Sequence, residues 1–205
     1  MMEISRLEVG QIATNCYIVH SNGVAFVVDP GAEAERIKGF CDERNLTVEG
    51  ILLTHGHYDH TGAVKELKQL TNAKIYCTED CNKIANSFKS MAFGFGATIQ
   101  KFDADVHVVD GDHIAIGNMN INVMATPGHT KGGACFIVEH NIFSGDTLFQ
   151  TSYGRTDLPT GNMKSLENSL RRLFALEGDY KVYPGHGAYT TLDIERKHNL
   201  IHFND

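Results

Sequence analysis

A chain of 205 residues, 42% hydrophobic and 21% charged, has the composition of a globular protein and is long enough for a layered core with helices outside it. The formal net charge of −7 argues against nucleic acid or an anionic membrane as partner. No apolar run approaches the roughly 18 residues of a membrane span, and Met-Met-Glu-Ile-Ser-Arg lacks the basic-then-apolar order of a signal peptide.

Short apolar or alternating runs predict strands near Ile4–Val9, Cys16–His20, Ala25–Val28, Gly50–Leu53 and Lys74–Cys77. Further strands are expected near Val106–Val109, His113–Ile116, Ile121–Ala125, Cys135–Val138, Asn141–Phe143 and Lys181–Tyr183. Helical periodicity marks Ala34–Glu43, Gly62–Leu70, Thr78–Ser87, Met163–Leu176 and Thr191–His198, the last with Thr191 as its N-cap. Strands interspersed with isolated helices suggest two sheets face to face with helices outside. The segment Phe88–Asp105, which includes Phe93-Gly94-Phe95-Gly96, has no clear period and reads as a packed connection or a lid. No linker or low-complexity tract divides the chain, so residues 1–205 are taken as a single domain. The scattered Cys16, Cys41, Cys77, Cys81 and Cys135 read as reduced thiols, in keeping with a cytoplasmic location.

The chemistry concentrates in T-H-G-H-Y-D-H-T-G, where His55, His57, Asp59 and His60 fall within six positions. Protonated imidazoles so close would repel, and neutral ones would each need a partner. A divalent cation removes both difficulties, because imidazole nitrogen and carboxylate oxygen are ligands it accepts. V-V-D-P-G, A-T-P-G-H-T, F-S-G-D-T and V-Y-P-G-H-G place Asp29, His129, Asp146 and His186 just beyond strand ends, each beside or near a glycine. A purely structural zinc site is the weaker reading, since such sites are usually cysteine-rich. The remaining histidines (His20, His107, His113, His140, His198 and His202) have no ligand-like company and read as surface or hydrogen-bonding residues.

The order T-H-x-H-x-D-H, T-P-G-H-T, G-D-T, P-G-H-G resembles the metallo-β-lactamase-fold hydrolases over most of the chain, from Asp29 to His186. The resemblance implies an α/β fold, an αββα four-layer sandwich of two mixed sheets flanked by helices. It implies two divalent metal ions, zinc foremost, with iron or manganese as alternatives. One would take His55, His57 and His129; the other would take Asp59, His60 and His186. Asp146 would bridge them, and Asp29 and Thr54 would support the ligands. F-S-G-D-T-L-F-Q-T-S-Y-G-R-T-D-L-P is similar to the glyoxalase II-like (hydroxyacylglutathione hydrolase-like) branch, in which Arg155 would contact substrate; an ion pair with Asp157 is the competing role.

Two dications lower the pKa of a shared water and polarise a carbonyl, so acyl hydrolysis needs no serine or cysteine. No motif supplies a dedicated general acid, which favours thioesters, whose thiolate leaves unprotonated, over amides. The expectation is a zinc-dependent hydrolase of small thioesters, with Asp59 and Asp146 as its catalytic carboxylates and a small thioester or ester as its partner. Two other activities on the same fold are compatible with these motifs. One is a mononuclear iron persulfide dioxygenase using His55, His129 and Asp146; the other is a lactonase or related esterase. Dioxygenases of that kind usually show P-A-H-D-Y where this chain has P-G-H-G-A-Y.

Overall fold

The computed structural model describes residues 1–201 and residue 203. Its strands are β1 (Glu3–Val9), β2 (Thr14–Ser21), β3 (Val24–Val28), β4 (Thr47–Leu52), β5 (Lys74–Cys77), β6 (Val106–His107) and β7 (His113–Ile116). The later ones are β8 (Met119–Ala125), β9 (Ala134–Val138), β10 (Asn141–Gly145), β11 (Leu148–Phe149), β12 (Ser152–Tyr153), β13 (Lys181–Pro184) and β14 (Thr190–Thr191). The helices are α1 (Ala34–Asp42), α2 (Tyr58–Thr61), α3 (Val64–Thr71), α4 (Glu79–Ala85), α5 (Met163–Phe174) and α6 (Leu192–His198).

Two mixed six-stranded sheets run in the orders β1-β2-β3-β4-β5-β6 and β14-β13-β10-β9-β8-β7. Alternation along single strands builds three apolar layers. On β2, Tyr17 and Val19 face the second sheet, while Cys16 and Ile18 face the helices. On β9, Phe136 and Val138 face the first sheet, and Cys135 and Ile137 face α5 and α6. Strands buried on both faces explain why these segments read as continuous apolar runs. Ile37, Val64, Leu67 and Cys81 close one outer layer; Leu166, Leu170, Leu173 and Leu192 close the other. The result is the four-layer αββα sandwich. All five cysteines are free and buried.

Strand direction gathers the site. Strands β3 and β4 are parallel, and β8, β10 and β13 also run one way, through the antiparallel β8–β9 and β9–β10 pairs and the parallel β10–β13 pair. Their C-terminal ends deliver Asp29, Thr54, His129, Asp146 and His186 to one edge. There the sheets are tied by backbone bonds, Asn15 N–H to the Gly185 carbonyl at 2.7 Å and Ala134 N–H to the Thr54 carbonyl at 2.8 Å.

Thr191 caps α6 as expected, its Oγ1 accepting from Ile194 N–H at 3.3 Å, and Asn162 Oδ1 caps α5 by accepting from Ser165 N–H at 2.8 Å. The expected Gly62–Leu70 helix is α3, and the one-turn α2 (Tyr58–Thr61) precedes it unannounced. A Cβ at Gly62 would lie 2.4 Å from the Gly31 carbonyl oxygen, so two backbones pack in contact where the chain turns. Short β11, β12 and β14 span two residues each, too few for any period to show. In Phe88–Asp105, Asn86 clamps the Phe102 backbone through bonds of 2.7 and 3.0 Å, while Met91, Gly94 and Phe95 line a cleft at the ligand edge. His113 bonds Asn122 and His140 packs beside Tyr180, whereas His202 lies outside the described residues.

Candidate metal centre

Helix α2 and the loop before it place His55, His57, Asp59 and His60 on the first sheet's side of the edge, and the second sheet's loops bring His129, Asp146 and His186 opposite them. Two groups result, each drawing on both sheets: His55, His57 and His129, and Asp59, His60 and His186, with ligand atoms in each group within 4.8 Å of one another. Asp146 lies between. Its Oδ1 is 3.4 Å from His60 Nε2, and its Oδ2 is 3.6 Å from His129 Nε2 and 3.8 Å from His186 Nε2.

Hydrogen bonds fix which nitrogen of each ring is free. The Arg155 carbonyl can only accept, so at 2.7 Å His129 Nδ1–H donates to it and Nε2 keeps the lone pair. Thr54 Oγ1 donates to Asp29 Oδ2 at 2.6 Å, so at 3.1 Å it must accept from His55 Nδ1, which frees His55 Nε2. His60 Nδ1 donates to the same Asp29 Oδ2 at 2.8 Å, which frees its Nε2 toward Asp59 and Asp146. Asp29, at φ 51°, also accepts from Thr54 N–H at 2.8 Å. A third group, Asp29 with His55 and His60, is therefore occupied by this orienting network.

The donor set fits divalent cations. His55 Nε2, His60 Nε2 and Asp146 Oδ1 are buried with no hydrogen-bond partner, a costly state for so many polar atoms in one place. His57 Nδ1 faces His129 Nε2 at 2.9 Å, where two lone pairs can share a cation. Burial, followed by neighbouring imidazoles, holds His55 well below its ordinary pKa and brings His57 down to about 4, so both are neutral ligands at neutral pH. On the other side burial would lower His60, but Asp59, Asp146 and Asp29 outweigh it and raise its pKa. Burial would raise Asp59, yet His60 and His186 hold it below the carboxylate range, and Asp146 is lowered against burial chiefly by His60. Buried carboxylates demand positive charge at this point, which a proton on His60 or a metal ion supplies.

Several supporting residues carried no local signal. Thr14 Oγ1 donates to Asp59 Oδ2 at 3.2 Å from 45 positions away. Asn15 Nδ2 donates to the Pro184 and Gly187 carbonyls at 2.9 and 3.0 Å, and Tyr17 Oη donates to Pro184 O at 2.7 Å, pinning the loop that carries His186. Gly185 allows that loop to approach, because a Cβ there would sit 2.2 Å from Asp146 Oδ1. Arg155 lies on the rim of the cleft with its guanidinium in a two-pronged pair to Asp157, both bonds 2.7 Å, so the ion pair is formed.

Comparison with known proteins agrees with this geometry. The sequence profile of the Metallo-beta-lactamase superfamily matches residues 9–186. The chain is 36% identical over 206 aligned positions to the hydroxyacylglutathione hydrolase GloC of Haemophilus influenzae, covering 97% of each. Among solved structures it resembles the BLEG-1 B3 metallo-beta-lactamase, with TM-score 0.89 and 32% identity over 97% of this chain and 98% of that one. It also resembles TTHA1623 in a di-iron-bound form, with TM-score 0.86 and 32% identity over 96% and 98%.

Proposed function

Since this chain belongs to the metallo-beta-lactamase superfamily of metal-dependent hydrolases, we propose that it is a dinuclear, zinc-dependent hydrolase of small thioesters, similar in chemistry to hydroxyacylglutathione hydrolase. The observation that carries the reading is the pair of His/Asp groups with Asp146 between them, since a mononuclear oxygenase would leave Asp59, His60 and His186 without a role. Two divalent cations would supply polarisation of a carbonyl and acidification of water. His-rich donors suit zinc best, and iron and manganese next.

The chain's own part is to hold the groups and to move the proton. Asp59 and Asp146 both face the cleft, Asp59 steadied by Thr14 and His186, so a carboxylate stands ready to take a proton from water. Hydrolysis joins the water oxygen to the acyl carbon and breaks the C–S bond. The bonding pair leaves on sulfur, which ends with the proton that water gave up. Besides the ligand-type residues, the cleft offers Ser152, Tyr153 and the paired Arg155 as its polar side chains. None is a built general acid, which a thiolate does without and an amine does not.

The test is a hydrolysis screen of the zinc-loaded protein across thioesters, lactones and phosphodiesters, with metal content measured for the parent, Asp146→Asn and His186→Ala. Expected are thioester turnover in the parent, a loss of at least about a hundredfold in both variants, and bound metal falling from two per chain toward one in His186→Ala. One iron per chain in parent and His186→Ala alike, without thioester hydrolysis, would sink the proposal in favour of the oxygenase.

A further inference from the structure

The cleft beside the metal centre, about 550 Å³, is mostly apolar away from its floor. Its wall comes from three separate segments: Ile12 after β1, Met91 and Phe95 in the Phe88–Asp105 connection, and Phe149 and Leu158 around β11 and β12. Phe95 is seated against Tyr58 at 6.0 Å between ring centroids, directly beside Asp59, and Phe149 lies 6.4 Å from the His186 ring. Met91, at φ 64°, is the hinge between two one-turn helices that brings Phe95 over the cleft. Among the described lining residues the one arginine or lysine is Arg155, already paired twice over with Asp157. Above the metal ligands, an anionic arm would find no unpaired guanidinium or ammonium among the described lining residues, only the apolar wall.

We propose that this cleft selects substrates with an apolar arm beside the scissile carbonyl, a medium-length aliphatic or aryl acyl group, and that Met91 and Phe95 are the specificity-determining residues. The proposal rests on the thioesterase reading for its scissile bond and on the shape and charge of the wall for its selectivity. Burying a methylene against such a wall tightens binding about threefold. A glutathione carrier, with its two carboxylates, gains nothing comparable here.

The experiment separates binding from turnover by using non-hydrolysable thioethers. The affinities of S-methyl-, S-butyl- and S-hexyl-N-acetylcysteamine and of S-hexylglutathione are measured by calorimetry on the zinc-loaded protein, on Phe95→Ala and on Met91→Ala. Hydrolysis of acetyl, butanoyl, hexanoyl and phenylacetyl thioesters of N-acetylcysteamine, and of lactoylglutathione, is followed in parallel. Expected are affinities rising about threefold per methylene in the parent, a methyl-to-hexyl difference reduced about tenfold in Phe95→Ala, and the same order in kcat/KM. Equal affinity for methyl and hexyl thioethers overturns the inference, as does a methyl-to-hexyl difference that is unchanged in both Phe95→Ala and Met91→Ala. Length-dependent thioether binding lost in Phe95→Ala, with no thioester turned over, supports the apolar cleft and sinks the thioesterase reading.

Discussion

Asp29 shows how much one side chain outside the ligand groups controls. Its carboxylate takes three hydrogen bonds, from Thr54 N–H, Thr54 Oγ1 and His60 Nδ1, and so sets the tautomers of both His60 and, through Thr54, His55. It is 1% exposed and sits at φ 51°, a backbone conformation that asparagine also tolerates. Asp29→Asn keeps shape and backbone while replacing one acceptor oxygen by a donor that faces donors. The expected outcome is a loss of roughly 10- to 100-fold in metal affinity, measured by competition with a chelating dye. Stability should fall by about 2 kcal/mol in denaturant unfolding, the cost of a broken charged hydrogen bond in a buried network. Unchanged affinity would show that His60 is oriented without it. Asp29 was legible in the sequence because V-V-D-P-G ends an apolar strand, whereas Thr14, which steadies Asp59, was not, since nothing near it in the chain marks a contact 45 residues distant.

Helices tied to strands by a few polar clamps give the layers their registry. Arg172 on α5 reaches Asp110 with bonds of 2.8 and 2.9 Å and the Ala125 carbonyl at 2.9 Å, and Asp110 also accepts from Ala125 N–H at 2.8 Å. The Arg172 bonds lower the Asp110 pKa against the opposing effect of burial. A carboxyl lowered by folding contributes stability fully above its unfolded value near 3.8 and loses it as pH falls through the lower folded value. The pair is about half exposed, so its worth is discounted to roughly 0.5–1 kcal/mol. Asp110→Asn should cost about that much at pH 7 in urea unfolding, and the gap from the parent should narrow below about pH 4. A gap that stays constant down to pH 2 would mean that packing, not charge, holds α5 there. The start of α6 was readable because capping is local: Thr191 accepts the expected backbone N–H, and Thr78 and Asn162 cap α4 and α5 in the same way. The one-turn α2 ahead of α3 was not, because four residues are too few to show a helical period.

Each ligand group draws on both sheets, His55 and His57 meeting His129, and Asp59 and His60 meeting His186, so bound metal would tie the two halves of the sandwich together. At a free metal concentration a thousandfold above Kd this adds about 4 kcal/mol, which for a chain of this size is roughly 8–16 °C in melting temperature. Melting followed by circular dichroism with excess zinc and with EDTA should show that difference, while identical curves would mean that the edge is held by the backbone bonds alone. Among the described residues no helix is long and apolar enough to cross a membrane. The ligand types, the apolar runs and the helix starts were written locally, in T-H-G-H-Y-D-H, in the glycine-flanked strand ends and in the capping residues, because ligand chemistry, alternation and caps act over a few positions. The family-like order of those motifs extended that reading to the αββα sandwich. Left to the folded chain were the free nitrogen of each imidazole, the pairing of Arg155 with Asp157, and the placing of Met91 and Phe95 over the cleft. The tautomers and the placing of Met91 and Phe95 depend on segments that meet only in the folded chain, and the Arg155 pair on the conformation of one loop; no periodicity within one segment carries that information.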